Sequence, residues 1–288
     1  MTHPKITTIS SIDEALSWLS EFGPQGGVIL ASGTDLFVGW RSGIPKANYI
    51  LNIGSIDSLN GIGLQDDFLR IGPMTTMAIL AASSLVREQI PSLAHAAGVM
   101  GSPLIRQRAT LGGNLCHASP AADTAAPLLA LGAELELQNL QGLRRVPLSD
   151  FFLGPGNTAL KNDEILTGIR IPVVKNRRDF YQRLSQRRAL ACVKVSVAGA
   201  AELGNHHLRN AKIALGAVAP IPMLARKTMA ILENSKPTDS VIEQAAAVAM
   251  SECNPIDDIR STVEYRRAMV GELLKEGLKL ILSGTQGS

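Results

Sequence analysis

Two glycine-bearing turns hold the residues best suited to chemistry. The first lies in "ILASGTDL", which is Ile29, Leu30, Ala31, Ser32, Gly33, Thr34, Asp35 and Leu36. It reads as strand, tight turn, helix. Such a turn presents free backbone N–H groups at a helix start, which suits an anion. Thr34 could cap the helix or donate its hydroxyl to a phosphate, and Asp35 could equally be the cap. The second lies in "TLGGNLCHASPAAD", which opens with Thr110, Leu111, Gly112, Gly113 and Asn114 and closes on Asp123. Gly112 and Gly113 permit close backbone approach and positive φ. Asn114 carries two donors and an acceptor and tolerates left-handed backbone. Asp123 could cap the helix that follows, or accept from a cofactor hydroxyl or amine.

Neither turn is a Walker A loop or a Rossmann fingerprint, and neither has a lysine placed like that of a P-loop. A pyrophosphate held by backbone amides, without lysine or magnesium, points to a dinucleotide cofactor and not to phosphoryl transfer. Cys116-His117 is not a metal-ligand spacing, and His117 has no orienting third group, so a structural role is the better reading. No paired carboxylates, Ser/His/Asp set or metal cluster emerges. No catalytic residue and no metal ligand is assigned, and the hard chemistry falls to a cofactor.

The elements that must position these turns follow from periodicity. "SSIDEALSWLSEFG" predicts a helix with Ser11 and Glu14 as a capping box and Ala15, Leu16, Leu19 and Phe22 on one face. "NYILNIG" and "DFLRIGPMTT" predict short strands. "TTMAILAASSLVREQIPSLAHAAGVMGS" predicts helix with a break at Pro91. "AAPLLALGAELELQNLQGLRRVPLSDFF" predicts helix, strand, turn, strand. The polar run "KNRRD", 175–179, predicts a linker. Beyond it come two or three strands, with His206 and His207 at a turn, and then helices to the end. Strands and helices do not alternate as in a doubly wound sheet, so the class is α+β, with two regions divided near residue 175.

Composition narrows the function. The chain has 288 residues and 45% hydrophobic content, enough to bury a sizeable core. The net charge of +3 is mild. Basic residues cluster at Arg177-Arg178, Arg183 and Arg187-Arg188 without interleaved aromatics, which argues against a nucleic-acid partner. The three cysteines, Cys116, Cys192 and Cys253, form no CxxC pair, so a disulfide framework, zinc site or iron–sulfur site is not expected in this chain. With no signal peptide and no apolar run long enough to span a bilayer, a cytoplasmic location is expected.

"ASGTDL" followed by "TLGGNLCHASPAAD" resembles the FAD-binding (medium) subunit of the molybdenum hydroxylases, the family of xanthine dehydrogenase, carbon monoxide dehydrogenase medium chain, 4-hydroxybenzoyl-CoA reductase and nicotinate dehydrogenase. "FFLGPGNTALKNDEILTGIRIP", "RLSQRRALACVKVSVAGAA" and "RSTVEYRRAMVGELL" continue the resemblance in order. It implies a two-subdomain FAD-binding domain of the vanillyl-alcohol oxidase and p-cresol methylhydroxylase type over 1–175, with subdomains of about 1–55 and 56–175. A C-terminal domain of a small antiparallel sheet with helices would occupy 176–288. Residues 29–36 would form the first diphosphate loop and Thr110 to Asn114 the second. Asp123 would touch the flavin, and Met100 and Leu166 would give it apolar contact. Arg183 falls where some members place a lysine near the flavin. Ser32 stands where the family usually has a glycine, and would be strained if that site needs positive φ.

The implied function is electron transfer. FAD would sit in this chain, with a molybdenum cofactor in a large partner and [2Fe-2S] centres in a small one, assembled as a dimer of heterotrimers. The acceptor would be NAD+, a quinone or another oxidant. A self-contained flavin oxidoreductase on the same fold, or a scaffold subunit that has lost FAD, are the alternatives.

Overall fold

The computed structural model describes residues 4–41, 47–187 and 192–283. The chain opens with β1 (Lys5–Thr8), α1 (Ile12–Phe22), β2 (Val28–Leu30), α2 (Leu36–Arg41) and β3 (Tyr49–Asn52). These strands form a parallel sheet in the order β1-β3-β2. Parallel neighbours need crossovers, and α1 lies in the first of them. Its Ala15, Leu16, Trp18 and Leu19 bury against Leu51, Ile53, Ile56 and Leu59. Ser11 caps α1 by accepting from Glu14 N at 3.2 Å, but Glu14 reaches back to Ser10 N and not to the cap residue. The expected capping box is thus displaced by one residue on its return side.

The middle of the chain contributes β4 (Ile62–Gln65), β5 (Phe68–Ile71), α3 (Met77–Ala82), α4 (Ser84–Gln89), α5 (Pro91–Val99), α6 (Pro103–Arg106), α7 (Leu111–His117) and α8 (Ala125–Ala130). After these come β6 (Glu134–Asn139), β7 (Gly142–Pro147), β8 (Phe152–Gly154), β9 (Asn157–Thr158) and β10 (Ile165–Pro172). Five of the strands make a sheet in the order β4-β5-β10-β6-β7. Alternation puts Leu69, Ile71, Leu135, Leu137, Ile169 and Ile171 on one face, where they pack on α3, α5 and α8. The helical stretch breaks at Ser83 as well as before Pro91. Ser83 is extended and caps α4 through its hydroxyl, the competition with helix that serine side chains offer.

The last unit comprises β11 (Arg177–Ser185), β12 (Val193–Gly204), β13 (His207–Gly216), β14 (Met223–Leu224), α9 (Arg226–Leu232), α10 (Asp239–Glu252) and α11 (Val263–Ser283). Its four strands are antiparallel in chain order. The run 175–179 is not a linker. Arg177, Arg178 and Asp179 open β11 and pair with Glu202, Ala201 and Ala200. The β12–β13 hairpin turns through Asn205 and His206, both at positive φ.

This sheet has two dry faces. Phe180, Val195, Val197 and Leu215 pack against α9–α11. Tyr181, Ala198, Ala200 and Ala214 join the core of the preceding unit. Small residues on that second face let α8, itself built of alanines, leucines and a proline, lie close to the strands. The whole is α+β, as the irregular element order implies. Among the described residues, no helix is long and apolar enough to cross a membrane.

Candidate functional site

A cleft of about 630 Å³ opens between the small parallel sheet and the helical layer, a volume typical of cofactor sites. Both glycine-bearing segments line it. Ile29, Ala31, Ser32, Gly33, Thr34, Asp35 and Leu36 come from the first, and Thr110, Gly112, Gly113, Asn114 and Asp123 from the second. Met100, at the end of α5, and Leu166, on β10, line it too.

Three of the expected residues do not. Leu30 is a buried strand residue and Leu111 is fully buried in the helical core. Both turn away because neighbours alternate along a strand and face differently around a helix. Arg183 lies behind the cleft wall, its Nη1 3.1 Å from Asp123 Oδ1 and 2.8 Å from the Val99 carbonyl. Of this ion pair, only Asp123 is on the described lining.

The first turn is an open cradle. β2 ends at Leu30 and α2 starts at Leu36. Among the described residues, the N–H groups of Ser32, Gly33, Thr34 and Asp35 donate no hydrogen bond within the chain. Four consecutive unengaged amides on residues that line a cleft can form an anion-binding concavity. Gly33 has φ +78, and a Cβ there would run into the Phe37 ring. Ser32 is outside the positive-φ region, so the strain contemplated for it does not arise.

The second segment is built differently from expectation. It is the first turn of α7, and neither Gly112 nor Gly113 has positive φ. Their N–H groups are already engaged, Gly112 N with Pro73 O at 2.8 Å and Gly113 N with Thr110 Oγ1 at 3.1 Å. Gly112 is needed for contact. A Cβ would stand 2.5 Å from Pro73 Cβ and 2.9 Å from its carbonyl oxygen. What this segment offers a ligand is Asn114. Its Oδ1 accepts from Thr124 Oγ1 at 2.6 Å, which orients the amide and leaves the Nδ2 donors without a partner among the described residues.

Asp123 does not cap α8. The cap position is Thr124, which makes no side-chain cap bond. Asp123 Oδ1 instead accepts from Tyr181 Oη at 2.8 Å and pairs with Arg183. Burial pushes its pKa up, while Arg183 and Tyr181 pull it down. Tyr181 escaped the sequence reading. The available signal was its spacing of two from Arg183, which puts both side chains on one face of a strand.

Cys116 and His117 also line the cleft. Burial pushes the Cys116 thiol up to about 12, so it stays protonated and is no nucleophile near neutrality. His117 is exposed at the end of α7 with no hydrogen bond to an acid or thiol. No cluster of metal-binding side chains occurs among the described residues. Asp35 and Asp123 are the charged residues on the described lining, which includes no lysine or arginine. Pro73, Met74, Leu160 and Ile165 add apolar surface that no motif announced.

Comparison with known proteins gives the family. Residues 3–174 match the family described as "FAD binding domain in molybdopterin dehydrogenase". Residues 180–281 match "CO dehydrogenase flavoprotein C-terminal domain". The chain is 27% identical over 281 residues to the xanthine dehydrogenase FAD-binding subunit of Escherichia coli O157:H7, covering 96% of each. It is 30% identical over 269 residues to the glyceraldehyde dehydrogenase medium chain of Sulfolobus acidocaldarius, covering 93% of this chain and 95% of that one. Its structure superposes on the carbon monoxide dehydrogenase of Hydrogenophaga pseudoflava that lacks the Mo-pyranopterin moiety, with a TM-score of 0.94, 28% identity and 98% of each chain covered.

Proposed function

The chain belongs to the family of FAD-binding subunits of molybdopterin dehydrogenases, and from that premise we propose that its cleft holds FAD for electron transfer between partner subunits and an external acceptor. The observation that carries this reading is the row of four unengaged amides, Ser32 to Asp35, on a lining without lysine. They suit a diphosphate that needs no metal. Asn114 lines the same cleft, so the two segments act unequally, one through backbone and the other through a side chain.

The apolar remainder fits a flat ring system. Met100, Leu160, Ile165 and Leu166 supply contact that excludes water. Asp123 offers a hydrogen-bond acceptor with its second oxygen. When bound, FAD supplies the redox chemistry linking [2Fe-2S] centres of a small partner to NAD+, a quinone or another acceptor. The chain's own residues bind and orient the cofactor, and none is needed as a general base. The relatives are named FAD-binding subunits or medium chains, which supports a place beside a large molybdenum-cofactor subunit and a small iron–sulfur subunit in a dimer of heterotrimers. We place the cofactor domain at 1–175 and the C-terminal domain at 176–288.

The test is direct. The full chain is purified, incubated with FAD, desalted and examined by visible spectroscopy. One flavin per chain is expected, and no retained flavin at micromolar concentrations overturns the proposal.

A further inference from the structure

Strand β11 sends three alternate side chains toward the cofactor-binding unit. Asp179 meets the start of α5, Tyr181 meets Asp123, and Arg183 meets both Asp123 and the Val99 carbonyl at the end of α5. Tyr181 is fully enclosed in the core shared by the two units and does not line the cleft. We infer that Tyr181 is a positioning residue for cofactor binding, holding Asp123 so that its second carboxylate oxygen faces the cleft as an acceptor. The inference rests on the FAD reading given above.

The geometry is asymmetric in a useful way. Both protein partners converge on Oδ1, at 2.8 Å and 3.1 Å, and Oδ2 has no hydrogen bond among the described residues. A carboxylate pinned through one oxygen cannot rotate freely, so its other oxygen is pre-set for a ligand N–H or O–H, which lowers the ordering cost of binding. Tyr181 itself is fixed by packing. The His95 ring lies edge-on at 6.2 Å between centroids, and the alanines of β12 and β13 enclose the phenol.

Four titratable or charged groups meet here. They are Asp123 ahead of α8, Tyr181 and Arg183 on β11, and His95 on α5. Burial and Arg183 lower the His95 pKa, so it is neutral near pH 7 and adds no charge. Burial raises the Tyr181 pKa well above the usual phenol value, so it remains a donor. The hydroxyl and Arg183 both favour the ionised form of Asp123 against the effect of burial. Removing the hydroxyl therefore makes Asp123 take up a proton at higher pH, at which point it stops being a pure acceptor.

The experiment compares the parent chain with Tyr181→Phe, Asp123→Ala and the double variant. FAD affinity is measured by quenching of flavin fluorescence between pH 5 and 8, beside thermal unfolding of each protein. Tyr181→Phe is expected to weaken FAD about tenfold at pH 7, the worth of one hydrogen bond to a charged group. Its acid-side loss of binding should begin at higher pH than in the parent. In the Asp123→Ala background, which leaves the hydroxyl nothing to hold, the same substitution should change affinity less than twofold, because the hydroxyl acts through the carboxylate. An equal loss in both backgrounds, or parent-like affinity and pH profile in Tyr181→Phe, overturns the inference while leaving the FAD reading standing. A parent chain that takes up no FAD overturns both.

Discussion

Asp179 Oδ1 accepts a hydrogen bond from the backbone N–H of Ser92 at 3.1 Å. Ser92 lies in the first turn of α5, whose cap residue, Ile90, has no side chain able to serve. A carboxylate from the C-terminal sheet therefore does the work of an N-cap for a helix of the preceding unit. The burden is desolvation. Asp179 Oδ2 is buried without a partner, and burial pushes the carboxyl pKa up to about 6, against the opposing effects of the Ser92 N–H and Arg177.

That shift sets a pH dependence. The native state binds a proton that the unfolded chain gives up between the usual aspartate value and about 6. Where the native state holds more protons, stability falls as pH rises. Asp179 is thus expected to lower stability progressively from about pH 4 to about pH 6. Asp179→Asn keeps an acceptor for Ser92 and removes the charge. Its thermal midpoint should be less sensitive to pH across that window and no lower than the parent's at pH 8. A variant that tracks the parent curve throughout would sink the assignment.

Gly112 separates α7 from the turn after β5. Gly112→Val must displace Pro73, and overpacking of this kind costs about 1–3 kcal/mol. The expected result is a lower urea midpoint together with loss of FAD uptake, since Pro73 and Gly112 both line the cleft. The packing of α9–α11 on the far face of the last sheet should survive, as followed by amide exchange.

Ser32 precedes Gly33, the residue of this turn at positive φ. Ser32→Gly should not tighten FAD binding, and should cost ~0.5–1 kcal/mol of stability through the freer unfolded chain. A severalfold gain in affinity would show that the serine side chain obstructs the cradle.

Arg266 ties three segments of the C-terminal unit. Its guanidinium donates to the carbonyls of Lys194 and Ala217 at 2.9 Å and 3.0 Å and to Asp258 Oδ1 at 2.7 Å. The side chain is only 4% exposed. Arg266→Met leaves the Lys194 and Ala217 carbonyls without this donor, about 1–3 kcal/mol for each one left unpaired, while Asp258 keeps Arg260 and the Ser261 N–H. Calorimetry of the full chain should show the drop. An unchanged melting profile would mean that water replaces the guanidinium at no cost.

Much of the site was legible as local chemistry. The turn at 31–35 follows from a strand, a glycine that alone tolerates its φ, and a helix start, all within one short segment. Thr110, read from the sequence only as the start of the second diphosphate loop, caps α7 in the fold by accepting from Gly113 N at 3.1 Å. The strand at 177–179 was hidden because lysine, asparagine and arginine resemble loop composition. Pairing with 200–202 overrides that preference, since β-propensity depends on neighbours across the ladder.

The amino-acid sequence by itself determined the α+β class, the open amide cradle and the lack of a P-loop lysine, because these depend on residue types a few positions apart. Only the tertiary structure decided what each polar group faces. Gly112 and Gly113 spend their N–H groups inside the fold, Arg183 stands behind Asp123, and Tyr181 reaches Asp123 across a separation of 58 residues. The pleat of β11 dictates that 179, 181 and 183 share a side. Which helices lie against that side is set by the burial of two apolar surfaces far apart in the chain, and no local pattern encodes it.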